Sequence, residues 1–350
     1  MTVVRIGTRL VGEGHPCMMA AEVGINHNGD MDLAHRSIDA AADAGANAVK
    51  FQNYRTEDFV SDQTLLYEYI SQGKKVVESQ FEMFKRCELA PDRLRELREH
   101  CDRRGIIFFS TPSSEQGIQD LVDVHVPLMK NGSDYLVHLP IIRAMARTGL
   151  PTVISTGMAD VGEIDDAVTA FRGAGGKDLI LLHCTSSYPT PPEDVHLRKM
   201  ITLEEKYGCP VGLSDHTAGT VAAIGSIVLG ACMIEKHFTL DRNLPGPDHR
   251  FSSDPAEFRQ LVDSVRTIEK NLGRSSLGPA ESESFGRLNY RLSCVAVRGL
   301  PLGHAVTAAD ITFRRPGSGY PPKEADRLIA RRLAKDVPPG HVFSAEDFSE

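Results

Sequence analysis

Between residues 17 and 273, short apolar runs alternate with amphipathic stretches, and this alternation limits the possible folds more than any other feature. The runs fall at 18–23, 48–51, 106–109, 127–130, 152–155, 179–183, 211–214 and 233–236. Helical periodicity separates them, for example over 32–44, 91–104, 164–171 and 255–272. Strands alternating with helices read as βα units around a parallel sheet. Eight such units in a stretch of this length predict an α/β fold closed into a TIM (β/α)8 barrel rather than an open doubly wound sheet. No Gly-x-Gly-x-x-Gly follows a strand, which lowers the dinucleotide-binding alternative. A weak internal echo supports repeated units: both Ala42-Asp-Ala-Gly-Ala-Asn-Ala-Val-Lys50 and Val228-Leu-Gly-Ala-Cys-Met-Ile-Glu-Lys236 run helix end, Gly-Ala, buried strand, lysine.

From residue 273 to 286 a polar Gly/Ser/Pro-containing stretch has neither periodicity and reads as a linker. Beyond it come short strand-like pieces at 292–297, 311–313 and 331–334, divided by Gly-Pro turns, with little helix. The expected organisation is a catalytic barrel over 1–275, a linker over 276–288 and a compact β-rich second domain over 289–350. That second domain carries Arg314-Arg-Pro-Gly317, a stiff basic turn.

A composition of 41% hydrophobic and 25% charged residues is that of an ordinary globular protein. The net charge of −8 argues against nucleic acid or an anionic membrane as the main partner, so an anionic substrate needs local basic groups. Seven cysteines without a Cys-x-x-Cys, several of them in apolar runs, suit a reducing compartment. The start, Met1-Thr-Val-Val-Arg-Ile, lacks the pattern of a signal peptide. Residues 217–234 have no charge but are broken by Gly219, Gly225 and Gly230, so helix–glycine–strand is a better parse than a membrane span. A cytoplasmic protein is the expectation.

Polar residues collect where each strand run stops, the end at which βα-barrels build active sites. Runs seven and eight end in Leu213-Ser-Asp-His-Thr217 and Glu235-Lys-His-Phe-Thr239, so His216 and His237 project from adjacent strands. Two converging imidazoles suit a borderline divalent metal held loosely, with open positions, more like Mn²⁺ or Mg²⁺ than a closed structural zinc. Such an ion is a Lewis acid for a carbonyl oxygen. Lys50 and Lys130, with hydroxyls from Thr111, Ser133, Ser155 and Ser214, predict a cationic, donor-rich pocket for phosphate or carboxylate. Glu22 at the end of run one is a candidate general base or orienting carboxylate. No Gly-x-Ser-x-Gly or partnered nucleophile supports a hydrolytic triad.

These strings resemble the sialic acid synthase family, which makes N-acetylneuraminate and related nonulosonic acids. The resemblance rests on Ala21-Glu-Val-Gly-Ile-Asn-His-Asn-Gly29, Val49-Lys-Phe-Gln52, Ser155-Thr-Gly-Met158, His183-Cys-Thr185 with Tyr188-Pro-Thr-Pro191, the two histidine motifs, and Pro245-Gly-Pro-Asp248. They run in family order over nearly the whole chain. The tail with Arg314-Arg-Pro-Gly317 resembles the family's SAF (antifreeze-like) domain. The resemblance implies condensation of phosphoenolpyruvate with the open-chain aldehyde of an N-acylated hexosamine. A divalent metal, Mn²⁺ first and Mg²⁺ or Co²⁺ as alternatives, would polarise the aldehyde from His216 and His237. Lys50, Gln52, Thr111, Lys130, Ser133, Ser155 and Ser214 match positions that hold phosphoenolpyruvate. Glu22 matches the carboxylate near the reacting carbon, and Tyr188 and Asp248 match sugar-side positions. The family's domain-swapped homodimer implies that Arg315 reaches the partner's site.

Two departures bear on the sugar. The family usually reads Lys-Ile-Gly-Ser-Gly-Glu/Asp where this chain reads Lys130-Asn-Gly-Ser-Asp134-Tyr135, and Ser186 stands where asparagine is common. N-acetylmannosamine, its 6-phosphate and a diacetamido-dideoxy sugar leading to legionaminic or pseudaminic acid therefore all remain open. A catalytically silent sugar-binding barrel is the contrasting reading, and retention of Glu22, Lys50, Lys130, His216 and His237 weighs against it, because buried charges are costly to keep. A metal hydrolase would need more ligands than two histidines.

Overall fold

The computed structural model describes residues 3–349, so Met1 and Thr2, part of the stretch read for a leader, and the final Glu350 lie outside it. The chain forms two compact units that part between Gly273 and Arg274. In the first, eight parallel strands close into a barrel in sequence order. They are β1 (Met18–Gly24), β2 (Ala48–Asn53), β3 (Ile107–Pro112), β4 (Met129–Asn131), β5 (Thr152–Ser155), β6 (Leu179–Cys184), β7 (Val211–Asp215) and β8 (Met233–His237). Each expected run is a strand, displaced by a residue or two at most of the ends. Near-continuous burial along them follows from helices covering the outer face.

The helices begin and end where local chemistry dictates. Asp254 caps Pro255–Leu272 by accepting from the backbone N–H groups of Ala256 and Glu257. Asp160 and Glu163 form a reciprocal capping box at the start of Val161–Gly173. Pro255–Leu272 buries Phe258, Leu261, Val262 and Val265, the three- and four-residue spacing of one helix face. The helix before β8 is Val221–Val228, and Gly230 follows it at φ +90, as a helix-terminating glycine should, in keeping with the helix–glycine–strand parse of 217–234.

Two β-hairpins stand outside the expectation. Val3–Ile6 pairs with Arg9–Gly12, and its Val4, Ile6 and Val11 join Met18, Phe109 and Met233 in a buried cluster of barrel residues. Leu66–Ser71 pairs with Lys74–Ser79 between β2 and β3, followed by the helix Gln80–Arg86. Among the described residues no helix is long and apolar enough to cross a membrane. All seven cysteines are free and buried.

In the second unit, Ser293–Ala296 pairs antiparallel with Ile311–Arg314. The third expected strand, at 331–334, is replaced by single bridges from Arg332 to Ala305 and from Leu333 to Phe348. The expected linker over 276–288 is partly helical, with Ser284–Asn289 an α-helix. Two similar turns hold this unit together. Asp310 accepts from the backbone N–H and hydroxyl of Thr307 and pairs with His304, and Asp347 accepts from the N–H of Ser344 and pairs with His341.

Candidate active site

Strand register decides which polar side chains meet. Glu22 on β1 lies opposite His237 on β8 and opposite Lys50 on β2. Gln52 lies opposite Thr111, and Ser214 opposite Glu235. The ends of all eight strands thus contribute to one cavity of about 400 Å³ at the C-terminal end of the barrel. It receives every barrel residue predicted from sequence: Glu22, Lys50, Gln52, Thr111, Lys130, Ser133, Ser155, Ser186, Tyr188, Ser214, His216, His237 and Asp248.

Its floor is a network of buried charges. Lys50 Nζ lies 2.9 Å from Glu22 Oε1 and donates to Thr111 Oγ1 at 3.1 Å. Lys130 Nζ lies 3.8 Å from Glu235 Oε1, which also accepts from Ser214 Oγ at 3.1 Å. Burial pushes the Glu22 carboxyl up to about 7, against the pull of Lys50. Burial would raise Glu235 too, but Lys130 and Lys50 outweigh it and hold it below the usual carboxylate range. Burial lowers Lys130, whereas at Lys50 the desolvation is outweighed by Glu22 and Glu235, which raise it. Glu22 Oε2, Glu235 Oε2 and Ser155 Oγ are buried without a hydrogen-bond partner. Unpaired polar atoms in a buried site are costly and mark where a polar ligand would be received.

The ring centroids of His216 and His237 are 5.4 Å apart. His216 Nδ1 lies 2.9 Å from the Thr185 carbonyl oxygen, a contact that requires the proton on Nδ1 and leaves the Nε2 lone pair free. His237 Nδ1 is buried with no hydrogen-bond partner and lies 3.8 Å from Asp248 Oδ2. Burial, reinforced by His216 and the lysines, pushes His237 well down, so it is a neutral imidazole at physiological pH. Two converging imidazoles, one of them with an orphaned ring nitrogen, fit a divalent cation. Among the described residues no group of three or more His, Cys, Asp or Glu could hold one, so other positions would fall to water or substrate. Tyr188 packs on His216 with centroids 4.2 Å apart, and Phe251 packs on His237 at 5.0 Å. Burial raises Asp248 to about 6, with His216 opposing.

The fourth-strand loop keeps its serine at the site despite its altered sequence. Ser133–Tyr135 is a single 3₁₀ turn, and Ser133 Oγ accepts from Gly157 N–H at 3.0 Å. A side chain at 157 would meet Ser186 Oγ at 2.3 Å and Ser133 Oγ at 2.7 Å, so only glycine lets the β5 end approach so closely. Arg315 belongs to the second unit, where it is exposed and its guanidinium lies 5.3 Å above the Tyr290 ring.

Sequence reasoning missed Glu235 and an apolar side of the cavity; Asp134, in the fourth-strand departure that bears on the sugar, also lines it. Glu235 had a signal: it lies two residues before His237, so the period of a strand puts both on one face. The apolar side comes from Ile25, Tyr54, Phe59, Met83 and Phe84, which pack together, and from Tyr67 of the second hairpin.

Fold and site together define a TIM-barrel protein whose strand C-termini enclose a charged, water-accessible cavity, joined to a small second domain. The chain belongs to the NeuB family: the family model matches residues 37–276, and a SAF domain model matches 293–349. It is 42% identical to an uncharacterised protein of Methanocaldococcus jannaschii over 99% of each chain. It is 38% identical to the N,N'-diacetyllegionaminic acid synthase of Legionella pneumophila over 95% of each. The crystal structure of N-acetylneuraminic acid (sialic acid) synthetase from Leptospira borgpetersenii, in complex with citrate, superposes with a TM-score of 0.73 at 34% identity, over 81% of this chain and 95% of that one.

Proposed function

We propose that this protein is a carbon–carbon bond-forming transferase that condenses phosphoenolpyruvate with the open-chain aldehyde of an N-acylated hexosamine, giving a nonulosonic acid and phosphate. The observation that carries this reading is the convergence of two buried lysines, two carboxylates and two histidines at one end of the barrel. Relatives named as synthases of legionaminic and sialic acids support the same class of product.

Lys50 and Lys130 bind the phosphate and carboxylate of phosphoenolpyruvate, with Thr111, Ser155 and Ser214 donating hydroxyls and Gln52 an amide. Ser133 and Ser186, which flank Gly157, line the same cavity. A divalent metal, Mn²⁺ by preference with Mg²⁺ or Co²⁺ as alternatives, would be held by His216 and His237 and would polarise the aldehyde oxygen. C3 of phosphoenolpyruvate forms the bond to the aldehyde carbon, water adds at C2, and the C2–O bond to phosphate breaks. Glu22, held near neutrality, takes the proton from that water; the proton taken up by the former aldehyde oxygen balances it. Tyr188 and Asp248 line the sugar side.

The proposed assembly is a homodimer in which Arg315 completes the partner's sugar site. Mixing inactive Arg315→Ala and Glu22→Ala subunits, with exchange verified, restores activity if Arg315 acts in trans. No recovery means that it acts within its own chain or not at all. The test of the reaction itself is phosphate release from phosphoenolpyruvate that depends on an N-acylhexosamine acceptor. Absence of acceptor dependence across a panel of such sugars would refute it and leave a sugar-binding barrel.

A further inference from the structure

His216 and His237 stand just beyond the point where the pairing of β7 and β8 stops. The last paired residues of that ladder are Asp215 and Lys236, each one position before a histidine. Side chains alternate along a strand, so Ser214 and His216 on one side and Glu235 and His237 on the other share the inward face, and all four line the cavity. Asp215 and Lys236 therefore face the helix layer. They share that face with Leu213 and Ile234, which belong to the large core cluster together with Ile227 and Phe258 of the covering helices.

There the two residues form an ion pair shut off from water. Lys236 Nζ lies 2.8 Å from Asp215 Oδ2, and the two side chains are 2% and 1% exposed. The same ammonium donates to the Thr217 carbonyl oxygen at 2.9 Å. Asp215 Oδ1 accepts from the Thr217 N–H at 2.9 Å and from its hydroxyl at 2.8 Å. These contacts close around the backbone on both sides of His216. The His216 carbonyl oxygen in turn accepts from the Thr190 N–H at 2.9 Å, which ties the loop carrying Tyr188 to the same point.

Stability alone does not account for this pair. Taking two charges out of water is costly, and an apolar pair of similar volume is often as stabilising or more so. What a charge-assisted contact adds is direction, because it fixes the separation and angle of the groups it joins. Here it joins two strand ends that carry imidazoles with centroids 5.4 Å apart. Histidines that hold a metal depend on outer partners for their orientation.

We infer that Asp215 and Lys236, with Thr217, form a positioning clamp that sets the spacing of His216 and His237 from behind the barrel wall. The inference rests on the reading of the two histidines as holders of a divalent cation. Neither Asp215 nor Lys236 lines the cavity, so the clamp acts through the strand ends and not on the substrates.

The test replaces both charges at once, Asp215→Leu with Lys236→Met in the full-length chain, so that neither is left buried alone. Mn²⁺ binding to the metal-free protein is read from the electron paramagnetic resonance of the free ion, and phosphoenolpyruvate binding without metal by calorimetry. The double variant is expected to melt close to the parent and to bind Mn²⁺ about ten- to a hundredfold more weakly, the scale of a lost outer partner of a metal ligand. Its affinity for phosphoenolpyruvate should be unchanged, because Lys50 and Lys130 stand on β2 and β4. Equal losses of affinity for both ligands mark general damage and overturn the clamp. If the double variant does not fold, Thr217→Val, which deletes only the hydroxyl contact, is read instead. A Kd for Mn²⁺ raised about two- to tenfold then supports the clamp, and an unchanged one overturns it. A parent that binds no Mn²⁺ overturns the metal reading and the clamp together. A parent that binds it, beside a double variant that binds it equally well, overturns the clamp alone.

Discussion

The buried aspartates of the second unit are more fully partnered than Glu22 and Glu235 of the barrel cavity, although Asp215, also in the barrel, is held by Lys236 and Thr217. In the second unit, Asp310 is held by Arg298, His304 and both donors of Thr307, and Asp347 by Lys335, His341 and Ser344. Both carboxyls are drawn below their ordinary value, because these hydrogen bonds and charges outweigh burial. In the barrel, Glu22 and Glu235 each keep one oxygen without a hydrogen-bond partner, and burial dominates Glu22 strongly enough to raise it. A satisfied buried carboxylate stabilises the fold, whereas a partly satisfied one costs stability and leaves capacity for a ligand. The contrast separates carboxylates kept for folding, in either unit, from the two in the cavity that keep an unpartnered oxygen.

The sharpest way to break that contrast is at the histidines. His216→Ala and His237→Ala should each abolish metal-dependent phosphate release, a loss of several orders of magnitude, while thermal melting still shows a folded barrel. Metal activation unchanged in both variants would remove them from the site.

Glu22→Gln should lower kcat by roughly a hundred- to ten-thousand-fold, the usual range for a positioned acid–base group. In the parent protein, kcat/KM should fall as pH drops through about 7, because the carboxylate takes up a proton there. That limb should be missing from the residual activity of the variant. An unchanged profile would assign the limb to another group.

Lys50→Ala and Lys130→Ala should raise the KM for phosphoenolpyruvate by about ten- to a hundredfold, corresponding to a charged contact worth about 1.5–3 kcal/mol. A shift confined to the sugar KM would reverse the division of the cavity.

The smallest effect tests the other side of the comparison. Asp310→Asn and Asp347→Asn should each destabilise the second unit by about 1–3 kcal/mol in the full-length chain, read by hydrogen exchange, with the barrel's protection unchanged. Both carboxyls are depressed in the folded state, so the stability they give is present above the ordinary aspartate value of about 3.9 and is lost as pH falls through the lower folded value. The variants should therefore show a shallower acid loss than the parent. Equal acid sensitivity would mean that these carboxylates do not anchor the unit.

Much of this was legible in the chain because it is locally encoded. The expected β5 and the helices Pro91–Arg104 and Pro255–Leu272 match the structure at both ends, since proline at the first turn and apolar spacing are local signals. The short helix Ser284–Asn289 was not legible, because six residues are too few to display a helical period. The hairpin Leu66–Ser71/Lys74–Ser79 leaves most of its residues exposed, so it carries no strong buried pattern to read, yet it supplies Tyr67 to the cavity.

Sequence alone determined that eight βα units would close a barrel and that Glu22, Lys50, Lys130, His216 and His237 would stand at the strand ends, since strand periodicity and the barrel's polarity fix both. Tertiary structure decided that Lys50 pairs with Glu22 while Lys130 faces Glu235, that Glu22 is shifted to near neutrality, and that one side of the cavity is apolar. Those properties depend on through-space distance and on exclusion of water, which residues far apart in the chain acquire only once they are packed together.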